Sequence, residues 1–380
     1  EHLSRLLKTP ASPIAIDVER AVSWFEQRER IALAGEQREA IRRAVVAKVL
    51  VITGGPGTGK TTLVNGIIRI LERKHRRILL CAPTGRAARR LSETTGRVAK
   101  TIHRMLEFNP KAMAFTRDAS RPLEADLVVV DEVSMVDTLL FMQLLRALPP
   151  RCQLVLVGDV DQLPSVGPGN ILRDLIRSGV VEVVRLIEIF RQARESWIVV
   201  NAHRVNSGEI PIVGAGGRAG GTMEEGRDFF FIERSEPEEI LATIRSLVSE
   251  RIPARFRFDP VDDIQVLSPM QRGLLGTASL NAELQSLLNP GGEAPPADDP
   301  SKTAEAGRAG RRGPRSFRPG DKVMQIRNNY NLEVFNGDIG RIESVTTRGE
   351  ERMWLVRFDD RRIGYRPSEL DELVLAYACS

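Results

Sequence analysis

The stretch Val49-Leu50-Val51-Ile52-Thr53-Gly54-Gly55-Pro56-Gly57-Thr58-Gly59-Lys60-Thr61-Thr62 decides the fold. Its apolar, β-branched opening reads as a buried strand that stops at a glycine-rich turn. Gly54 and Gly59 bracket four residues and are followed by Lys60 and Thr61, the full G-x-x-x-x-G-K-[ST] pattern. Glycines let backbone N–H groups wrap an anion with no Cβ in the way, and the helix that follows presents its positive dipole end. Lys60 is a mobile charge for β- and γ-phosphates, and the Thr61 hydroxyl can ligate Mg²⁺. A plain flexible turn needs neither a strand before it nor an apolar helix after it (Leu63, Ile67, Ile68, Leu71), and both are present. The stretch predicts an α/β fold. It also predicts a nucleoside-triphosphate site over Gly55, Pro56, Gly57, Thr58, Gly59, Lys60, Thr61 and Thr62.

A P-loop demands a second strand that ends in acids, and Leu127-Val128-Val129-Val130-Asp131-Glu132 supplies it. Asp131 is expected to hold Mg²⁺ through water, and Glu132 to orient or deprotonate the attacking water. A third strand, residues 153–157, leads to Gln162, a side chain at a strand tip that can sense a γ-phosphate. Arg191 is a candidate for the charge that develops on that phosphate. Gln37, one helix upstream of the loop, can read an adenine edge with its amide; spacing alone equally fits a surface glutamine. Residues 77–81 form a further strand that runs into Pro83, Thr84, Gly85 and Arg86. Small residues and hydroxyl or backbone donors at a strand's carboxyl end suit a phosphate backbone, and they also suit an ordinary helix cap. Residues 107–123, polar and marked by prolines, read as a hairpin that projects from the first domain.

The 380 residues suffice for two or three domains, and 42% hydrophobic with 28% charged residues is a globular composition. Fifty-five Lys plus Arg against 50 Asp plus Glu give +5, which permits a nucleic-acid partner without arguing for one. Cys81, Cys152 and Cys379 are far apart and odd in number, with neither metal spacing nor a disulfide framework. A reducing, cytoplasmic setting is therefore expected. No run approaches 18 apolar residues and no signal-peptide layout opens the chain, so neither membrane nor export is expected. Glu1 is not an initiator methionine, and a start processed or cut from a longer chain is expected.

Residues 1–35 read as helical, with an apolar stripe through Ile14, Ile16, Val18, Val22, Trp24 and Phe25. The first nucleotide-binding domain is expected over 36–184. Residues 185–290, with strand 264–267 and a helix through Leu280, Leu284, Leu287 and Leu288, begin a second α/β unit. Residues 291–316 are rich in Pro, Gly, Ala and charge, the composition of a flexible linker. Short alternating strands and the Asn336-Gly337 turn signal over 317–366 suggest a small SH3-like or OB-like barrel. From 367 to 380 the texture of the larger domain resumes.

Taken in order, GGPGTGKTT, APTGRAA, TIHRML, VVVDEVSM, VGDVDQLPSVGPG, IFRQ and SPMQRGLLGT resemble a superfamily 1 helicase, and within it the RecD-like family of the exonuclease V alpha subunit. The match runs from about residue 33 to the end. It implies two RecA-like P-loop domains with parallel sheets and an SH3-like β-barrel inserted in the second. It also implies use of ATP and Mg²⁺, binding to single-stranded DNA and single-strand/duplex junctions, and movement 5′ to 3′. By this resemblance Gln37 reads adenine, Lys60, Thr61, Asp131 and Glu132 serve nucleotide and metal, Gln162 couples nucleotide state to DNA, and Arg191 meets the γ-phosphate. Pro83 to Arg86, Thr101 and His103 fall where the family touches single-stranded DNA. The 107–123 hairpin, with Phe108, falls at its strand-separating pin. Family members continue past the Ala376-Tyr377-Ala378 strand with a DNA-contact motif and a second arginine motif; neither occurs before Ser380, and full turnover is expected to need them. An ATP-switched nucleic-acid clamp and an RNA-directed superfamily 1 helicase are the competing readings.

Overall fold

Strand and helix alternate from residue 49 to 105, and the apolar run at 49–54 is a buried strand as its β-branching predicts. In the computed structural model the described residues are 1–109, 112–190, 195–213, 228–291, 317–329, 332, 334–348, 351–359 and 361–380. They divide into two compact units, Glu1–Ile232 and Glu233–Ser380. No helix among the described residues is long and apolar enough to cross a membrane.

The first unit opens with α1 (His2–Lys8), α2 (Val18–Glu29) and α3 (Gly35–Val46). Residues 9–17 are not helical, so Ile14 and Ile16 lie on a connector; Pro10 and Pro13 explain the break, since proline has no N–H to continue a helix. The core follows as β1 (Val49–Gly54), α4 (Lys60–Glu72), β2 (Ile78–Ala82), α5 (Gly85–Thr95), β3 (Ala99–Thr101) and α6 (Ile102–Met105). Next come β4 (Phe108–Asn109), β5 (Ala114–Phe115), β6 (Leu127–Val130), α7 (Thr138–Ala147), β7 (Gln153–Gly158), α8 (Ile171–Ser178), β8 (Glu182–Leu186) and α9 (Trp197–Asn206). The large sheet runs β3-β2-β6-β7-β1-β8 with every pair parallel. A boundary at 184 would cut β8, which pairs with β1 along Glu182–Leu186; the unit extends past it.

Both faces of the sheet are covered, as a parallel sheet requires. Leu6 of α1 packs in one apolar layer with Phe141 and Leu144 of α7. Val22 and Phe25 of α2 pack in the opposite layer with α3 and α4. The first 35 residues thus serve both faces. Phe25 comes so close to α4 that a Cβ on Gly66 would sit 3.0 Å from its ring. The 107–123 segment is a hairpin only at its start: Phe108 pairs with Phe115 and Asn109 with Ala114. Its second half folds back, with the Leu123 N–H donating to Ala147 O at 2.8 Å.

The second unit contains α10 (Pro237–Ser246), a π-helical turn at Leu247–Arg251, α11 (Ile252–Phe256), β9 (Val266–Leu267) and α12 (Thr277–Leu288). Then come β10 (Lys322–Gln325), β11 (Ile339–Arg348), β12 (Glu351–Phe358), β13 (Arg361–Tyr365), β14 (Leu373–Leu375) and β15 (Ala378–Cys379). The antiparallel sheet β13-β12-β11-β10-β14 curls around Val323, Trp354, Phe358 and Tyr365, with a bulge between Ile342 and Ser344. The expected return to the larger domain at 367 comes later. Leu373–Leu375 pairs with β10, and buried Leu373 belongs to the small sheet's core. Only Ala378 and Cys379 pair, in parallel, with β9. The 291–316 linker lies, except for Gly291, outside the described residues.

Candidate nucleotide-binding site

The glycine loop joins β1 to α4 at the carboxyl edge of the large sheet, where ligands of such sheets bind. Gly57 and Gly59 have φ of 76° and 74°, a region that side chains rarely enter. Each carbonyl from Gly54 to Gly59 accepts from a protein donor. Lys60 Nζ donates to Gly54 O at 2.6 Å and Gly55 O at 2.9 Å, and Thr58 Oγ1 donates to Gly55 O at 2.8 Å. His203 Nε2 lies 3.2 Å from Pro56 O, and the Phe190 N–H donates to Gly57 O at 3.2 Å. Gln37 Nε2 reaches Thr58 O at 3.2 Å and Gly59 O at 3.4 Å. The N–H and C=O of one peptide point in opposite directions. Anchoring the carbonyls therefore sets the orientation of the N–H groups that a phosphate needs.

The acids sit at the end of β6. The Glu132 N–H donates to Asp131 Oδ1 at 3.0 Å, and Glu132 has φ of 53°, left-handed for a residue with a Cβ. Burial pushes the Asp131 carboxyl up against the pull of Lys60 and Arg90. Burial and the neighbouring Asp131 charge push Glu132 up. Burial likewise lowers Lys60, opposed by Asp159, Glu132 and Asp131. The Thr61 hydroxyl on the exposed first turn of α4 and the partly buried Asp131 carboxylate form a hard oxygen donor set, which fits Mg²⁺ bound with phosphate oxygens. Thr62 is exposed beside it. Gln162, exposed after β7, accepts from Ser134 Oγ at 3.4 Å, which links its loop to the segment after the acids.

The sheet edge gathers the nucleotide candidates at the tips of β1, β6 and β7, and the nucleic-acid candidates at the neighbouring tips of β2 and β3. There Thr84 caps α5 by accepting from the Ala87 N–H, and Thr101 caps α6 by accepting from the Arg104 N–H. Pro83 and Gly85 are half-buried and Arg86 is exposed. His103, Phe108 and Phe115 form a three-ring cluster with centroids 5.0–5.7 Å apart. Burial lowers His103, which favours its neutral form. Arg191 lies outside the described residues. Gln37 is buried, its Oε1 accepting from the Ala34 N–H at 3.1 Å, so both ends of its amide engage backbone. Sequence reasoning missed Asp159, Arg90, Phe190 and His203. Arg90 stands one helical turn after Arg86, a spacing that offered a signal; His203 offered none.

A fully parallel sheet with a glycine loop, its lysine and an acid pair on one carboxyl edge defines a P-loop nucleotide-binding protein. A model described as an AAA domain matches residues 37–168, and one described as the ATP-dependent RecD-like DNA helicase SH3 domain matches residues 280–358. The chain is similar to the ATP-dependent RecD2 DNA helicase of Deinococcus radiodurans, 35% identical over 98% of this chain and 46% of that protein. It is also similar to the RecBCD enzyme subunit RecD of Mycolicibacterium smegmatis, 30% identical over 80% of this chain and 56% of that one. Among solved structures, the Pif1 helicase from Candida albicans aligns at 18% identity over 92% of this chain and 86% of its own, with a TM-score of 0.47. Along nearly its whole length the chain is similar to RecD-like helicases. It spans about half the length of the curated relatives it matches.

Proposed function

We propose that this chain is the ATP-hydrolysing part of a DNA helicase that binds single-stranded DNA and single-strand/duplex junctions and travels 5′ to 3′. The observation that carries the reading is the loop with every carbonyl anchored, set on the same sheet edge as Asp131 and Glu132. Entry of a triphosphate exchanges the Gly54 and Gly55 carbonyls for phosphate oxygens at Lys60 Nζ, which places the ammonium where negative charge grows. Mg²⁺, held by Thr61 and Asp131, would neutralise the phosphate oxygens. Glu132 takes a proton from the attacking water; burial raises its carboxyl, and a more basic carboxylate is the better acceptor. Gln162 senses the γ-phosphate, and its link to Ser134 carries a change there into the loop after the acids. Arg191 is proposed for the developing γ-phosphate charge. Pro83 to Arg86, Thr101 and the His103–Phe108 face are proposed to meet DNA, with the hairpin as the wedge.

The test measures ATP turnover with and without single-stranded DNA. It then measures displacement of a fluorescent strand by the chain extended through the family's following motifs. Stimulation by DNA and displacement from a 5′ overhang are expected. Turnover without displacement would favour a clamp, and stronger stimulation by RNA would favour the RNA-directed reading.

A further inference from the structure

His203 lies 147 residues from Pro56 in sequence, yet its ring packs on the phosphate loop. A Cβ on Gly55 would come 2.6 Å from His203 Cε1, so the ring rests directly against that residue. Pro56 O can only accept, so the hydrogen bond requires a proton on Nε2.

The helix that carries His203 is held at both ends. At its start Asp228 Oδ1 accepts from the Trp197 N–H at 2.7 Å and the Ile198 N–H at 3.2 Å. At its middle, buried Asn201 accepts from the Ile212 N–H at 2.6 Å and donates to Ile212 O at 3.0 Å, and near its end Arg204 Nε donates to Ile210 O at 2.9 Å. Phe190 adds a second attachment, its N–H on Gly57 O and its ring beside Gly59. Between this helix and the loop lies a cavity of about 730 Å³, bordered by Gly54, Gly55, Asp159, Gln162, Arg185 and His203.

We propose that His203 is a positioning residue for nucleotide binding: it holds the Gly55–Pro56 peptide so that the loop keeps the shape that receives phosphates. Gln37 secures the Thr58–Gly59 end of the loop, and His203 secures the Pro56 end. This rests on the nucleotide-site reading above. A chance surface histidine would not be matched by a glycine against which its ring packs, nor carried on a helix fixed at both ends.

The experiment compares the chain with His203→Ala and His203→Gln. Alanine keeps the helix, and glutamine places an amide N–H near the position of Nε2. Two quantities are read: affinity for fluorescent ADP, and amide hydrogen exchange of residues 54–62 without nucleotide. Loss of one hydrogen bond of ordinary strength weakens binding about fivefold to tenfold. His203→Ala is expected to lose that much ADP affinity and to exchange faster in the loop, with both restored by His203→Gln. Unchanged or tighter ADP binding in His203→Ala, or a glutamine variant no better than alanine, overturns the proposal. If the parent chain takes no ADP, the nucleotide reading fails, and the exchange of the loop still decides the clamp: unaltered exchange in His203→Ala sinks it.

Discussion

Glu132 occupies a backbone conformation, φ 53°, in which a Cβ crowds the following carbonyl at a cost of about 1–2 kcal/mol. Such strain persists where the surroundings hold it, here the N–H bond to Asp131 and the buried end of β6. Glu132→Gly is therefore expected to raise stability by about 1 kcal/mol, seen as a higher midpoint in urea, while ATP turnover is lost. A variant less stable than the parent would show that the backbone there is unstrained. Glu132→Gln keeps the shape and loses the base: turnover should fall by about a hundredfold or more while ADP binding holds. Lys60→Ala removes a phosphate charge and no core volume, so turnover should vanish while circular dichroism shows the chain still folded. Equal loss of ADP binding in the Lys60 and Glu132→Gln variants would refute the division of roles.

Two elements show what holds a functional feature in place. The pairing of Phe108 and Asn109 with Phe115 and Ala114 is a two-pair ladder, too short to be stable alone; the His103, Phe108 and Phe115 rings cluster at it, and the Thr116 and Arg117 N–H groups donate to Glu107 O and Leu106 O. An aromatic pair adds about 0.5–1.5 kcal/mol beyond its burial. Phe115→Ala, in the chain extended through the family's following motifs, is expected to leave DNA-stimulated hydrolysis near normal and to slow strand displacement. Parental displacement would move strand separation elsewhere, and collapse of hydrolysis would make the hairpin a structural part of the first unit. In the second unit, fully buried Asp321 accepts from Gln285 and Asn289 side chains, the Arg318 N–H and the Tyr377 hydroxyl, at 2.7–3.0 Å. It ties α12 and the segment between β14 and β15 to the start of the small sheet. Asp321→Ala takes one shared acceptor from two buried and two half-buried donors, and a loss of about 3 kcal/mol is expected by urea unfolding.

At the scale of the molecule, the charge balance of +5 is slight for the DNA binding proposed, and many arginines face acids. Arg341, Arg357 and Arg362 are cross-strand neighbours on the small sheet, with Asp262 and Glu343 set among them. Aromatic residues are 5% of the chain, so backbone contacts are expected to outweigh base stacking. Binding to single strands should therefore be indifferent to base sequence. The log of affinity should fall with log salt by about 0.7 for each phosphate neutralised. A flat salt response, or strong preference for one sequence at fixed salt, would count against phosphate-led binding.

The sequence by itself determined the strand–loop–helix at 49–72, the acid-tipped strand at 127–130 and the two textures of the chain, because each is written in the spacing of nearby residues. Turn glycines, β-branched runs and alternating strands act over a few positions. Tertiary structure alone decided that residues 1–35 serve both sheet faces and that Leu373 closes the small sheet. It alone placed the Gln37 amide on the loop backbone and His203 over Pro56. Those pairings join positions far apart in the chain, where no periodicity links one partner to the other. A glutamine or histidine on a helix reads the same in sequence whether it faces water or holds a loop; only the packing of the sheet's helices brings it to its acceptor.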